Sequence, residues 1–382
     1  MNKVVFLVRN VSPEKYGGGE TYQLMLAEGL RGHGFKPYIV TSSLGLLREA
    51  RKNGLDAIRA PYINQQNWSG WRNILFPIYC IKILKLRKWY KQVFEEYKPS
   101  TVNIQSRDDW VAATKMAKKK HIQVLWTDHM DFRSWVLTNV NVKYKNWIGK
   151  WVLYCAKKAD RIIMISDYER ECFERIVGHR KYNNVITIKN GVRDSYNKYN
   201  GVKKIKDSVC YVGRIVDYKG IGELITAFSE VCREYPDAKL NIYGDGNDYD
   251  KYRKMVVSDK RIIFHGRTNK PLEAIAENEI FVLPSYREGL SLSLLDAAMM
   301  KKKIIASDVD GNPEIVVGGE TGLLVPARNK NELSKAIIWM LAHKKEAERM
   351  ARNARKHYEK NFCFESIFEE KILPLYNNTK EE

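Results

Sequence analysis

Two cations in the sequence VGRIVDYKG are candidates for binding an anion. Arg214 lies two residues after a predicted strand that ends at Val212, and Lys219 lies five residues further on, where a helix is predicted to begin. In open α/β sheets, ligands bind at the carboxyl ends of the strands. A guanidinium and an ammonium in such a loop can neutralise a diphosphate. The alternative is a pair of solvated surface cations.

A second loop, PSYREGLSLSLLDA, offers two carboxylates, Glu288 and Asp296. It follows a predicted strand, Ile280–Pro284, and a helix is predicted to begin near Leu290. The backbone amides around Leu290 and Ser291 would then suit phosphate oxygens, and Asp296 would belong to the third turn. Two carboxylates at this spacing can contact different parts of an elongated ligand. Alternatively, Glu288 only stabilises the start of the helix and Asp296 is a surface acid.

Three glycines, Gly17 to Gly19, precede Glu20 and a predicted helix. Glycines at a helix start leave bare N–H groups at the positive end of the helix dipole, where a phosphate can bind. The spacing is not that of the dinucleotide-binding GxGxxG motif, so a flexible turn remains the alternative.

Short β-branched runs alternate with longer helical patterns along the chain, which predicts βαβ units and parallel sheets. The pattern restarts after about 200 residues, so we expect an α/β fold with two tandem, doubly wound, Rossmann-like domains facing a cleft. The predicted strands are Val4–Val8, Pro37–Thr41, Thr101–Gln105, Gln123–Thr127, Arg161–Ile165, Val185–Lys189, Ser208–Val212, Lys239–Tyr243, Arg261–His265, Ile280–Pro284 and Lys303–Ser307.

A polar segment, RDSYNKYNGVKKIKD at 193–207, is typical of an interdomain linker. We therefore predict an N-terminal domain of residues 1–195 and a C-terminal domain of residues 196–365. The sequence after Asn329 is helical to the end, and a last helix within residues 366–382 is expected to cross back to the first domain.

The charge of the chain is unevenly distributed. The whole chain of 382 residues carries +20, and residues 1–195 hold 34 Lys and Arg against 17 Asp and Glu, an excess of 17. Eight of the nine tryptophans lie in the same half. Such a half could face anionic lipid, nucleic acid or an acidic small substrate. The alternative is solvated charge with tryptophans in the core.

The sequence also indicates a compartment. Six widely spaced cysteines form no CxxC pair, which predicts reduced thiols in a cytosolic protein. The start, MNKVVFLVRN, has too short an apolar run for a signal peptide, and no stretch reaches the 18 apolar residues of a spanning helix. We expect a protein that is soluble or lies on a membrane surface.

Six motifs in residues 208–326 resemble the donor-binding domain of glycosyltransferase family 4, the retaining sugar-nucleotide enzymes of GT-B fold. They occur in the order of the family: VGRIVDYKG, YGDGNDYD, FHGRT, PSYREGLSLSLLDA, SDVDGNPEIV and ETGLLVPA. The N-terminal half is similar more loosely, through GGGE, WTDHMD, ADRIIMISDYER and IKNGV.

The resemblance implies roles in donor binding. Arg214 and Lys219 fall where the family holds the diphosphate of the donor. Glu288 matches the first acid of the E-x7-E signature, which binds hydroxyls of the donor sugar. Asp296 matches the second acid, which binds the ribose, although Asp here replaces Glu and shortens the reach.

The same resemblance assigns the N-terminal residues. Gly17 and Gly18 correspond to the diphosphate loop, and His129 to a histidine near the transferred sugar. Acceptor binding is expected in this basic domain. The segment Pro77–Lys91 is interpreted as a buried connecting helix with snorkelling lysines or as a membrane anchor.

The expected activity is transfer of a sugar, with retention, from a nucleoside diphosphate sugar to a saccharide acceptor. We expect this acceptor to be lipid-linked and the reaction to occur at the inner face of a membrane. No cofactor and no metal are expected, and Asp308 and Asp310 of the DxD are interpreted as a donor-contacting loop. Two alternatives remain: a nucleotide-sugar epimerase, and a nucleic-acid binder. The second is disfavoured because helix-turn-helix, RRM and zinc-finger patterns are missing.

Overall fold

The chain folds into two compact units. The computed structural model describes residues 2–14, 16–62, 76–129, 147–178 and 182–377. The N-terminal unit comprises Met1–Lys189 and Phe368–Glu382, and the C-terminal unit comprises Asn190–Ile367. The division thus falls six residues before the predicted boundary at 195/196.

The polar segment 193–207 belongs to the C-terminal unit and is not a free linker. Arg355 donates hydrogen bonds to both carboxylate oxygens of Asp194, and its guanidinium lies 4.9 Å from the ring centroid of Tyr196. Such charge and cation–π contacts give no periodic apolar signal, which explains why the segment looks like a linker in the sequence.

The N-terminal unit is built on a parallel sheet of seven strands in the order β3-β2-β1-β4-β5-β6-β7. The strands are β1 (Val4–Val8), β2 (Lys36–Thr41), β3 (Asp56–Arg59), β4 (Thr101–Ile104), β5 (Gln123–Asp128), β6 (Arg161–Met164) and β7 (Val185–Thr187). The helices described between them are α1 (Gly18–Gly32), α2 (Leu44–Lys52), α3 (Phe76–Tyr97), α4 (Arg107–Lys119), α5 (Trp147–Ala156) and α6 (Asp167–Val177).

The C-terminal unit has a parallel sheet of six strands in the order β10-β9-β8-β11-β12-β13. The strands are β8 (Ser208–Val212), β9 (Lys239–Tyr243), β10 (Ile262–Gly266), β11 (Ile280–Leu283), β12 (Lys303–Ser307) and β13 (Leu323–Val325). The helices are α7 (Tyr196–Tyr199), α8 (Ile221–Glu234), α9 (Tyr249–Met255), α10 (Pro271–Ala276), α11 (Leu292–Met299), α12 (Asn312–Ile315), α13 (Lys330–Ala342), α14 (Lys344–Asn361) and α15 (Phe364–Ile367).

The predicted α/β fold with two doubly wound sheets is confirmed. Each predicted strand is present within one or two residues of its expected ends, but β3 and β13 were not predicted. Both are short edge strands of four and three residues. A strand at the edge of a sheet is less buried than a central strand, so it needs no long run of apolar residues. Its apolar pattern in the sequence is therefore weak.

The end of the chain returns to the N-terminal unit, as expected. A π-helical turn (Phe368–Ile372) leads into α16 (Leu373–Asn377). The buried hydroxyl of Tyr376 accepts a hydrogen bond of 2.7 Å from Nδ2 of Asn103, which lies in the central strand β4. The backbone oxygen of Leu375 accepts another, from Gln123.

Two tryptophans of the basic half form part of its core. Trp110 and Trp126 are fully buried and stack with their ring centroids 5.0 Å apart. Their indole N–H groups donate to the backbone oxygen of Ile104 and to Oγ1 of Thr114. The alternative interpretation, that the tryptophans of this half belong to the core, is therefore correct for Trp110 and Trp126. Trp68, Trp71 and Trp135 lie outside the described residues.

Within the described ranges, no helix is both long enough and apolar enough to cross a membrane.

Candidate active site

A buried ion pair lies at the carboxyl edge of the C-terminal sheet. Lys219 ends a single 3₁₀ turn after β8, and Glu288 follows β11, the neighbouring strand. Nζ of Lys219 lies 2.5 Å from Oε1 of Glu288, and the side chains are 13% and 8% exposed. Burying two charges is costly unless they are paired, so this contact holds both groups in defined positions.

Gly220 allows the two loops to approach each other. Its φ is +72°, a conformation that a residue with a side chain rarely adopts, and a Cβ atom there would lie 2.1 Å from the backbone oxygen of Pro284. The backbone N–H of Tyr286 also donates to the carbonyl oxygen of Tyr218. The chain can therefore place Lys219 beside the end of β11 only because a glycine follows it.

Glu288 is also held through its backbone. Its N–H donates a 2.7 Å hydrogen bond to Oδ2 of Asp310, whose own φ is +51°. A Cβ atom on Gly311 would lie 1.9 Å from the carbonyl oxygen of Gly289, so these two loops are in close backbone contact. Asp310, the second acid of the DxD, therefore positions Glu288. Among the described residues, no group of three or more His, Cys, Asp or Glu side chains could hold a metal ion.

Three cations surround the ring of Tyr218. The exposed guanidinium of Arg214 donates a 2.5 Å hydrogen bond to the Tyr218 hydroxyl. Lys219 lies 5.6 Å and the exposed Arg287 5.3 Å from the centroid of the ring. Arg287 was not predicted from the sequence to have a role, although it directly precedes Glu288. This cluster offers two accessible guanidinium groups to an anion.

Helix α11 begins two residues later than predicted. Ser291 is its N-cap, and its hydroxyl pairs with that of Ser293 instead of a backbone N–H. The first-turn amides therefore have no side-chain cap and remain suited to an anion. Leu290, just before the cap, is buried. Because of the later start, Asp296 lies in the second turn and not in the third.

Asp296 is half-buried on α11 and is not an ordinary surface acid. Burial in surroundings of low polarity raises the pKa of its carboxyl from 3.8 to about 7. Near neutral pH this side chain can therefore exist as a neutral acid, which donates a hydrogen bond as well as accepting one.

The N-terminal unit has a second polar cluster at the carboxyl edge of its sheet. Arg9, Gln105 and His129 follow β1, β4 and β5, which are adjacent strands. The guanidinium of Arg9 donates to Oε1 of Glu20 at 2.7 Å and to the backbone oxygen of Gln105 at 3.2 Å. Nε2 of His129 lies 3.1 Å from Oε1 of Gln105. Of these residues, His129 was predicted from the sequence to have a role, whereas Arg9 and Gln105 were not.

The glycine-rich sequence makes room for this cluster. Gly17 is the extended N-cap of α1 and Gly18 its first residue. A Cβ atom on Gly19 would lie 2.3 Å from Nη2 of Arg9, so the third glycine gives space to the guanidinium. Arg9 could have been identified from the sequence by its position directly after the first strand. Gly17 and Gly18 retain amides suited to an anion.

Two family models match the chain. The model described as Glycosyltransferase Family 4 matches residues 16–196, and that described as Glycosyl transferases group 1 matches residues 192–357. These matches favour neither a nucleotide-sugar epimerase nor a nucleic-acid binder.

Curated relatives match over part of their length. The poly(ribitol-phosphate) alpha-N-acetylglucosaminyltransferase of Staphylococcus aureus is 26% identical over 60% of this chain and 46% of its own. The capsular polysaccharide biosynthesis glycosyltransferase CapM of the same species is 27% identical over 48% of this chain and 50% of its own. The chain thus spans about half the length of these relatives.

Solved structures share the fold over nearly the whole chain. The Anabaena HepE protein in complex with UDP and glucose has a TM-score of 0.76 and 15% identity, covering 98% of this chain and 100% of its own. At this identity the likeness concerns the fold alone.

The raised pKa of Asp296 predicts how stability depends on pH. In the unfolded chain the carboxyl ionises near 3.8, whereas in the folded protein it ionises near 7. The contribution of this carboxyl to the free energy of unfolding is therefore fully present below about pH 3.8. It is lost as the pH rises from there through 7. We expect Asp296→Asn to stabilise the protein at pH 8.5 by about 1 kcal/mol or more, since one pKa unit corresponds to about 1.4 kcal/mol.

Urea unfolding at pH 5 and pH 8.5 measures this effect, and the gain should be larger at pH 8.5. Asp250→Asn is the control, because Asp250 is an exposed aspartate of the same unit. An equal gain at both pH values would contradict the assignment.

Proposed function

Since the chain belongs to the family 4 glycosyltransferases of GT-B type, we propose that it transfers a sugar from a nucleoside diphosphate sugar to a saccharide acceptor in the synthesis of a cell-surface glycan. The main structural support for this proposal is the buried Lys219–Glu288 ion pair at the carboxyl edge of the C-terminal sheet. An ammonium and a carboxylate in contact can bind two neighbouring parts of one ligand, an anionic diphosphate and the hydroxyls of a sugar.

The cations bind the diphosphate in this proposal. Lys219 supplies a point charge that Glu288 already holds in place, and Arg214 supplies an exposed guanidinium that Tyr218 orients. When the bond between the sugar and the diphosphate breaks, negative charge develops on the leaving group. Fixed cations stabilise that charge without having to reorganise during the reaction.

Helix α11 contributes further contacts to the nucleoside diphosphate sugar in this proposal. We assign the backbone amides of Leu290 and Ser291 to phosphate oxygens, because no side chain caps the start of α11. We assign Asp296 to the ribose hydroxyls. A carboxyl with a pKa of about 7 can donate to a hydroxyl oxygen when neutral and accept from the hydroxyl when ionised.

In the N-terminal unit we assign Gly17 and Gly18 to phosphate binding and His129 to the transferred sugar. The amides of both glycines lie at the start of α1, and Gln105 orients the imidazole of His129. Catalytic roles are assigned to Glu288 and His129. In the proposed reaction the acceptor oxygen attacks the anomeric carbon on the face that the leaving group departs from, and a phosphate oxygen accepts its proton.

Retention and metal independence are part of the proposal. Lys219 and Arg214 together can balance the charge of the leaving diphosphate, so no metal ion is required for that step. We expect the protein to hydrolyse one of a panel of UDP, GDP and ADP sugars slowly without an acceptor. The first sugar released should have the anomeric configuration of the donor.

NMR of the released sugar, with and without EDTA, measures both properties. We expect unchanged rates in EDTA. Release of the opposite anomer would contradict retention, and a rate that EDTA abolishes would contradict metal independence. Conversion of the donor to its epimer without release of nucleotide would instead identify an epimerase.

Substitutions in the ion pair should separate binding from turnover. We expect Lys219→Met and Arg214→Met to weaken binding of the nucleoside diphosphate by about tenfold or more, because each loses a contact to a charged group. Glu288→Gln should lower sugar transfer by at least about tenfold while nucleotide binding persists.

Calorimetry measures the nucleotide affinity, and Lys335→Met is the matched control, since Lys335 is an exposed, ion-paired lysine on α13. Thermal unfolding of each variant confirms that the fold is intact. Wild-type affinity in both Lys219→Met and Arg214→Met would refute this diphosphate site.

We further propose that α3 binds an anionic membrane surface on the cytoplasmic side, where a lipid-linked acceptor would be found. One face of α3 is buried, through Tyr79, Ile83, Leu86, Tyr90 and Phe94, as expected of a connecting helix. The other face exposes Ile78, Ile81 and Leu84, which are 47%, 54% and 58% exposed. Lys85, Lys88 and Lys91 are exposed on the same helix. Apolar side chains beside lysines suit a surface with anionic headgroups.

The double variant Ile81→Ser and Leu84→Ser should reduce cosedimentation with phosphatidylglycerol vesicles severalfold, because it removes apolar area from the exposed face of α3. Val257→Ser is the matched control, since Val257 is 81% exposed in the C-terminal unit. Equal vesicle binding of the wild type and the double variant would contradict this role of α3.

A further inference from the structure

The C-terminal unit has a cavity at the amino ends of its strands. Its volume is about 280 Å³, and its walls come from α7, the segment before β8, the ends of α10 and α11, and the first turns of α14. Lys303, the first residue of β12, and Glu279, which precedes β11, both line it. Lys219 and Glu288 instead follow the carboxyl ends of their strands. In a parallel sheet these are opposite edges, so the cavity is separate from the candidate active site.

The walls of this cavity are strongly basic. Six cations line it, against two acids, Glu279 and Glu348. Glu279 is already paired with one of the cations, because its Oε2 lies 3.1 Å from Nζ of Lys303. The six cations are Lys204, Lys301, Lys302, Lys303, Lys344 and Arg352.

Lys302 is the most constrained of these cations. Its side chain is buried, with 3% of the residue exposed, and its ammonium donates to the backbone oxygens of Ala276 and Asn278. In the part of the chain that the structure describes, no carboxylate lies within ion-pair distance of Lys302. The hydrogen bonds of its ammonium thus go to neutral carbonyl groups.

The groups that face Lys302 leave its charge poorly compensated. The pKa of its ammonium is lowered from 10.5 to about 8, chiefly by burial and also by the charges of Lys204 and Lys303, whereas Cys210 and Glu279 act in the opposite direction. A buried cation in such surroundings gains stability when an anion binds next to it.

The backbone of Lys301 adopts a conformation that is unusual for a lysine. It follows the C-cap of α11 with a φ of +55°, the left-handed conformation that glycine usually provides at this position. A lysine is disfavoured there, but it places a further cation on the wall of the cavity.

We propose that this cavity binds a small ligand that carries one or more phosphate groups. The excess of cations over acids and the poorly compensated ammonium of Lys302 both favour an anion of more than one charge. The volume is slightly below the roughly 300–1,000 Å³ of pockets for drug-sized ligands, so it suits a phosphate or diphosphate group better than a whole sugar nucleotide.

Calorimetry of the full chain with inorganic pyrophosphate tests the proposal. Because pyrophosphate also resembles the diphosphate of a donor, the titration is made in the Lys219→Met variant, in which the candidate active site is weakened. We expect binding to persist in that variant and to weaken by about tenfold or more when Lys301→Gly and Arg352→Ala are added. Lys335→Ala, added in their place, is the control and should change nothing.

Stability gives an independent check on the variants. Because glycine favours the backbone conformation of Lys301, Lys301→Gly should unfold at the same temperature as the wild type or higher. A loss of pyrophosphate binding in a chain of equal or greater stability then reports the cavity and not a damaged fold.

The phosphate could be free in solution or part of a lipid headgroup, and phosphatidylglycerol vesicles distinguish the two. Pyrophosphate binding that depends on Lys301 and Arg352 supports a soluble ligand. Vesicle binding that depends on the same residues, without pyrophosphate binding, supports a headgroup. The proposal is overturned if neither pyrophosphate binding nor vesicle binding responds to the substitutions of Lys301 and Arg352. Because Lys301 and Arg352 lie outside the candidate active site, the effect of their substitution is independent of whether the protein transfers sugar.

Discussion

The contact between Lys219 and Glu288 constrains the loops around it. Both side chains are largely buried, and removing two charges from water is costly unless the two groups stay in contact. Two backbone contacts nearby keep the two groups together. Gly220 packs against the carbonyl oxygen of Pro284, and Asp310 accepts a hydrogen bond from the amide of Glu288. The carboxylate and the ammonium are therefore in place before any ligand arrives, which lowers the cost of ordering them on binding.

The N-terminal unit uses a similar device with different residues. Arg9 and Glu20 also form a buried pair between the end of a strand and the start of a helix, and Gly19 leaves the space that the guanidinium occupies. In both units a glycine at a helix start allows the close approach, and the amides of the first turn remain suited to an anion. The two sheets thus use the same physical arrangement, a fixed ion pair beside a helix N-terminus, at their carboxyl edges.

Net charge and local charge have different consequences in this protein. Nearly all of the net positive charge lies in the first 195 residues, yet the six cations around the cavity lie in the other half, where acids elsewhere balance the total. A ligand responds to the charges within a few ångströms, because water and salt screen those further away. The exposed lysines of α3 and the cavity around Lys302 are therefore separate features, which would not be distinguished by composition.

The sequence by itself determined the α/β class, the bounds of β8, β9 and β12 to the residue, and the loops that hold Arg214, Lys219 and Glu288. Apolar runs and loop motifs are local, and they can be read within a few residues. Only the tertiary structure decided which residues meet: Glu288 with Lys219, 69 positions apart, and Arg9 with Gln105, 96 positions apart. It also decided the division at 189/190 and the cavity around Lys302, whose walls come from separate segments. Such contacts arise from the order of the strands and the packing of distant helices, and no local pattern records them.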